Sequence, residues 1–352
     1  MDRVVILTGS GGGVASAISA ALAARGLVTR HAPFAADGRL RLELDPRGAA
    51  AVVHLGLRTP RELEEPLRAE AEATAAAASA ELARVAGARR LVHVSTVAVY
   101  GRPRNLPCRE GELKRPRTAF ERIRWRAEQA SWAAFRRGAP LTVLRPTILY
   151  GPGLRGGPVR VLPLVALFNA GRRRVPIIRR GPVAHLCHVE DLARAVAHVL
   201  LHPDDRDVVG RAFNVGDDAP LPLAEHLAAA LAALGFETGR VLPTAPRLTS
   251  ALLWLFRHVP DRAVLDPVNR RLAARWARLV RGSSVDPALA PRIDREALHW
   301  MSADHYYDTA RLAAIGWRPL HPISTAAVAS TIRALVAERL LPGTGAGAMP
   351  VW

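Results

Sequence analysis

The stretch that most constrains this chain is residues 4 to 26, "VVILTGSGGGVASAISAALAARG". Val4 to Thr8 form a short, continuous, β-branched run, the pattern of a strand buried on both faces. Glycines follow at once, and then an alanine-rich segment whose helix is stopped by Gly26. A helix entered through glycines offers its first backbone N–H groups to the loop, and these bind anions. Gly9 and Gly12 take the first two positions of a T-G-x-x-G-x-x-G pattern, with Ala15 at the third. The loop is therefore expected to cradle a pyrophosphate through Thr8, Gly9, Gly12, Gly13 and Val14.

Further apolar runs at 50–56, 90–96 and 141–146 alternate with helical segments at 61–86 and 117–137. Strands separated by helices predict an α/β fold with a doubly wound parallel sheet. From about residue 151 the alternation breaks up, through proline and glycine punctuation, the basic "GRRRVPIIRRG" and a helix over 222–235. The expected division is a dinucleotide-binding domain of 1–165 that also receives 186–216. A smaller, mostly C-terminal substrate-binding lobe takes 166–185 and 217–340, and 341–352 is a flexible tail.

The 352 residues are 49% hydrophobic, enough for such a core, yet no apolar run approaches the roughly 20 residues that span a bilayer. Only Cys108 and Cys187 are present, so no disulfide framework is expected and a reducing, cytoplasmic setting fits. His185 and His188 flank Cys187 without a second cluster to complete a zinc site, so no metal is assigned. The net charge of +18 would ordinarily raise polyanionic partners. Lys114, however, is the only lysine, and arginine stands nearly everywhere a solvated cation is wanted, so charge is a weak guide.

Five ordered motifs narrow the reading: "HVSTVAVYG" (93–101), "LRPTILYGPG" (144–153), "HVEDLARAV" (188–196), "RAFNVGDD" (211–218) and "DTARLAAIGWRP" (308–319). With the glycine loop, the chain resembles the extended short-chain dehydrogenase/reductases, in particular the NAD-dependent epimerase/dehydratase family. The resemblance covers nearly the whole chain and implies a Rossmann domain that binds NAD or NADP. It also implies that Thr96 hydrogen-bonds a substrate oxygen. At the family's catalytic tyrosine and lysine positions stand Phe120 and Arg124, four residues apart on one helix face. Glu72 stands at the position of the family asparagine. Phe120 has no proton to exchange, so it is not catalytic as Phe, whereas Arg124 retains a cation suited to ribose hydroxyls. Substitute proton carriers would come from Tyr100 and Tyr150, expected to line the cleft, or from His185 and His188.

The strand "GLVTRHAPF" ends without the carboxylate that would accept hydrogen bonds from an adenosine ribose, and offers Arg30 instead. NADP is slightly favoured over NAD on that ground. Asp45 resembles the family's adenine-contacting acid after the third strand. Leu55, Gly56, Arg124 and Pro146 complete the expected cofactor set. The segments 247–259 and 270–280 resemble the hydrophobic region of sterol and long-chain members, so an apolar alcohol or ketone is the expected substrate.

Arg271, Arg275 and Arg278 around Leu272, Trp276 and Leu279 also fit a basic amphipathic helix. Peripheral contact through 247–281 with an anionic membrane, at the inner membrane face, is therefore weighed against simple packing within the lobe, which is favoured. A homodimer is left open. The competing readings are an oxidoreductase-like enzyme with an altered mechanism and a catalytically degenerate dinucleotide-binding scaffold or sensor. An RNA-binding member is disfavoured because no aromatic platform interleaves with the arginines.

Overall fold

A computed structural model describes residues 3–9, 11–41, 45–57, 64–156, 162–169, 174–242, 263–281, 285, 290–293, 300 and 302–341. Two compact units are present: Met1–Thr147 with Val189–Gly216 and Tyr307–Leu320, and Ile148–His188 with Asp217–Tyr306 and His321–Trp352.

The first unit begins β1 (Val4–Thr8), α1 (Gly13–Ala23), β2 (Val28–Ala32), β3 (Ala51–His54), α2 (Glu65–Ala86), β4 (Arg90–Val94), α3 (Ala119–Phe135) and β5 (Leu141–Pro146). The chain later returns to add the helix Val189–Leu201 and the strand Arg211–Val215. Six strands form one sheet in the order Arg211–Val215, β5, β4, β3, β1, β2, and every pair is parallel. From β1 the chain runs to β2 on one side and then crosses to β3 on the other. Right-handed crossovers in opposite directions place α1 on one face and α2 and α3 on the other. The reversal opens a crevice at the carboxyl ends of β1 and β3, where such sheets bind ligands.

Local chemistry sets the element ends. Thr118 caps α3 through a capping box, its hydroxyl accepting from the Glu121 N–H while the Glu121 carboxylate accepts from the Thr118 N–H. The helix thus starts at Ala119, two residues inside the expected 117–137. Gly87 ends α2 in the left-handed conformation at φ 67°. Ala71, Ala75, Ala76, Ala80 and Ala83 of α2 are buried, and their small side chains let α2 lie close to the sheet and to α3. Ile6, Val52, Leu91, Leu141 and Val143 meet Ala80, Ala83 and Ala86 in the core between sheet and helices.

Three boundaries differ from the sequence expectation, since Leu186–His188, expected in the first domain, also lies in the second unit. Residues 148–165 belong to the second unit, because Ile148–Tyr150 pairs with Leu186–His188 in a separate two-stranded sheet. Tyr307–Leu320 belongs to the first unit, where Tyr307 bridges Cys108 and the helix Ala310–Ala314 packs on Arg211–Val215.

The second unit also pairs Val183–Ala184 with Leu221–Pro222 and Arg174–Ile178 with Glu237–Leu242. The 270–280 segment lies in the helix Leu265–Leu279, with Leu272 and Trp276 buried and Arg271, Arg275 and Arg278 exposed. Leu279, the third apolar residue of the stripe, is half-buried. Residues 247–259 and the tail beyond residue 341 lie outside the described residues. Among the described residues no helix is long and apolar enough to cross a membrane.

Candidate functional site

The carboxyl ends of β1, β3 and β4 carry the site. Gly9 follows β1 at φ 104° and Gly12 caps α1 at φ 109°, conformations that glycine adopts without strain. A Cβ at Gly9 would overlap the carbonyl oxygen of Gly56, so the glycine loop lies directly against the backbone that follows β3. A Cβ at Gly12 would meet nothing within 4 Å. Among the described residues no side chain caps α1, and its first turn holds no acid. The start of α1, with Gly13 and Val14, is therefore a surface of backbone N–H groups with a favourable dipole and no competing carboxylate.

Thr8 is placed differently from its expected cofactor role. It is fully buried, and its Oγ1 lies 2.7 Å from Ser79 Oγ and 3.2 Å from His54 Nδ1. The hydroxyl ties β1 to β3 and α2, leaving only backbone at the loop. Burial, with His93 and Arg124 nearby, holds His54 well below the usual histidine range. His93 is pushed down to about 3, mainly by burial. Both rings are therefore neutral in the folded protein at ordinary pH.

At the end of β4, Thr96 Oγ1 accepts from the Ala98 N–H at 3.2 Å, opening a 3-10 turn over Val97–Tyr100. A hydroxyl that accepts there still has its hydrogen to donate, which suits a substrate oxygen. Phe120, in the first turn of α3, is 40% exposed. Arg124 is turned inward. Its Nη2 donates to Val94 O at 3.0 Å, and its Nη1 lies 3.5 Å from Glu72 Oε2. The guanidinium covers Gly56, where any Cβ would overlap it. It is neither a surface arginine nor one wholly committed to a ribose, because one N–H is hydrogen-bonded to Val94 O and the guanidinium is ion-paired with Glu72.

The four candidate replacements for the tyrosine are all buried. Tyr100 is 1% exposed, donates to Asn214 Oδ1 at 2.8 Å and lies 2.7 Å from Arg145 Nη1. Burial raises its hydroxyl above the ordinary tyrosine range. Tyr150 is buried edge-on to His188, with ring centroids 5.1 Å apart, and His188 is buried too. His185 Nε2 contacts Asp217 O at 2.8 Å and is equally buried. Each lies on or beside a strand whose apolar neighbours carry it into the interior.

Sequence reasoning missed the cluster behind Tyr100. Glu128 accepts from Ser95 at 2.6 Å, from Arg145 Nη2 at 2.6 Å and from Trp132 at 3.0 Å. Burial pushes the Glu128 carboxyl up, but Arg145 and these hydrogen bonds outweigh it and hold the group below the usual range. The available signal was Glu128 one turn beyond Arg124, together with the arginine of "LRPT". Lys114 donates to Glu110 O and Glu112 O at 2.7 and 2.6 Å, and burial lowers its ammonium to about 8.

The remaining expected cofactor residues are scattered in exposure. Arg30 and His31 are exposed at the end of β2. Asp45 is also exposed, lies before rather than after the third strand of the sheet, and accepts from the Arg47 N–H in its own turn at 3.0 Å. Leu55 N donates to Thr8 O at 2.9 Å, and Pro146 ends β5 in the core.

Residues 5–216 match the family model described as "NAD dependent epimerase/dehydratase family". The chain belongs to the NAD-dependent epimerase/dehydratase family. No curated protein matches it. Among solved structures it resembles the terminal R domain from the myxalamid PKS-NRPS biosynthetic pathway, with TM-score 0.67, 17% identity, and coverage of 97% of this chain and 93% of that one. The Bordetella bronchiseptica enzyme WbmG, in complex with NAD and UDP, gives 0.63, 15%, 96% and 95%. UDP-glucose 4-epimerase of Thermus thermophilus, in complex with NAD, gives 0.60, 19%, 95% and 99%. At these identities the likeness shows the fold. The open α1 terminus and the two positive-φ glycines fit the family's NAD: they leave room for a pyrophosphate, and Gly9 could not carry a side chain.

Proposed function

We propose that this epimerase/dehydratase-family chain is an oxidoreductase-like enzyme acting on an apolar alcohol or ketone, without a tyrosine as acid/base. The observation that carries the reading is the glycine loop, whose unobstructed N–H surface at α1 is built for a dinucleotide. The bound cofactor would supply or accept the hydride. Gly12, Gly13 and Val14 present backbone N–H groups to its pyrophosphate. Arg124 has donors left over for ribose hydroxyls. Arg30 and His31, with no acid between Val28 and Asp37, favour the 2'-phosphate of NADP over NAD.

Thr96 donates its hydroxyl hydrogen to the substrate oxygen and polarises it. Phe120 offers an apolar ring where a proton donor would otherwise stand, so the proton is exchanged with water.

The test begins with NAD+, NADH, NADP+ and NADPH titrations followed by melting temperature. Cofactor at about 100 times its dissociation constant adds about 2.7 kcal/mol of stability. The binding form is then paired with sterol and long-chain alcohols and ketones. Turnover should rise when Phe120→Tyr and Arg124→Lys are combined, and a folded, cofactor-bound double variant with no gain would exclude a merely degenerate site. The second reading, a dinucleotide-binding sensor or scaffold, is favoured by the burial of Tyr100, Tyr150, His185 and His188. Cofactor binding without turnover on any member of the screen would select it.

A further inference from the structure

Helix α3 faces α2 through a ladder of ion pairs. Arg122 pairs with Glu65 at 2.5 Å and Arg126 with Glu70 at 2.9 Å, both partly exposed. Such pairs contribute little in water. Arg124 and Glu72 form the inward rung, with side chains only 13% and 4% exposed. Glu72 Oε2 also accepts from the Leu57 N–H at 3.2 Å, and a Cβ on Gly56 would lie 3.2 Å from that oxygen. The glycine loop rests on Gly56 through Gly9, and Gly56 lies under the Arg124 guanidinium. One backbone layer therefore separates this charge pair from the loop, in surroundings where water screens poorly.

An unpaired Arg124 there would attract whatever ligand carried the greater negative charge. The reduced nicotinamide dinucleotides carry one more negative charge than the oxidised forms, whose ring is cationic. We propose that Glu72 is a specificity-determining residue of the dinucleotide site: by pairing with Arg124 it cancels the cation behind the glycine loop and prevents a preference for reduced cofactor. This inference rests on the dinucleotide-binding reading above. It also gives Gly56 a reason to be glycine, since any side chain would separate the pair from the loop.

The experiment is calorimetric titration of the full chain with NADP+, NADPH, NAD+ and NADH, in the wild type, Glu72→Gln and Arg124→Gln. The quantity read is the ratio of dissociation constants, oxidised over reduced. Glu72→Gln exposes the arginine charge and should raise the ratio on the order of 5-fold, whereas Arg124→Gln leaves the carboxylate and should lower it by a similar factor. Salt should shrink both shifts. A purely structural role would weaken both cofactor forms equally, so equal losses, or an unchanged ratio with binding intact, overturn the inference while leaving dinucleotide binding standing. Absence of binding by any of the four to the wild type overturns the dinucleotide reading and this inference together. The two substitutions predict opposite signs, so a folding defect in one leaves the other decisive.

Discussion

The glycine loop and the start of α3 lie at the ends of strands in the same sheet, yet they are built on opposite principles. The loop is made of backbone. Gly9 and Gly12 keep positive φ, among the described residues no side chain caps α1, and its N–H groups stay open. Around α3 the side chains form closed pairs: Glu128 with Arg145, Glu72 with Arg124, and Tyr100 with Asn214 and Arg145. An open set of donors binds a ligand, whereas the closed Glu128–Arg145 and Tyr100 sets hold the fold, and the Arg124–Glu72 pair stands between the two with some donors still unused. The difference teaches that polar residues near a site are not all site residues.

Three measurements would break or sharpen this contrast. The largest effect is expected from Glu128→Gln, which leaves Arg145 buried without its counter-charge and should cost about 3–5 kcal/mol in urea unfolding. Dinucleotide affinity per folded molecule should remain near wild type, and a cofactor defect would show that the cluster belongs to the binding site. Next comes Gly9→Ala, which forces a Cβ against Gly56 O at a φ unsuited to alanine. It should cost about 2–4 kcal/mol and remove the cofactor-induced rise in melting temperature. Retention of that rise would show that the loop is not where the dinucleotide binds.

The effect that is smallest near neutral pH is the pH dependence. His93 is depressed to about 3 and His54 is also held low, so the unfolded state binds protons first as the pH falls below the ordinary histidine value of about 6.5. Stability is then lost going down from pH 6.5, by up to about 1.4 kcal/mol per pH unit for each ring, until the folded-state values are reached. Glu128, held low as well, contributes stability that is present above the unfolded carboxyl value and lost further down the acid limb. His93→Gln should flatten the upper part of that limb, and an unchanged slope between pH 6.5 and 5 would remove His93 from the account.

Much of the architecture was legible because it depends on period and punctuation. The apolar runs at 4–8, 90–96 and 141–146 became β1, β4 and β5, and α1 ended close to Gly26, where it was read. The strand Arg211–Val215 was visible only as part of a motif, since five residues without regular alternation carry little periodic signal. The site was legible in one half. Gly9 and Gly12 announce their conformation by having no side chain. The direction of Arg124 could not be read, because a long flexible side chain takes its course from partners distant in sequence, here Val94 and Glu72. Tyr100 misled for the same reason: its turn motif placed the backbone correctly, while Arg145 and Asn214 drew the hydroxyl inward.

By itself the sequence determined the parallel α/β sheet, the glycine loop and the membership of the epimerase/dehydratase family, because each depends on local spacing that survives without knowledge of neighbours. Only the tertiary structure decided that Thr8, Tyr100, Tyr150, His185 and His188 are interior groups and that Arg124 is paired with Glu72. Those outcomes depend on which buried charges and hydroxyls find partners across the fold, and the energetic cost of leaving them unpaired settles where each side chain points.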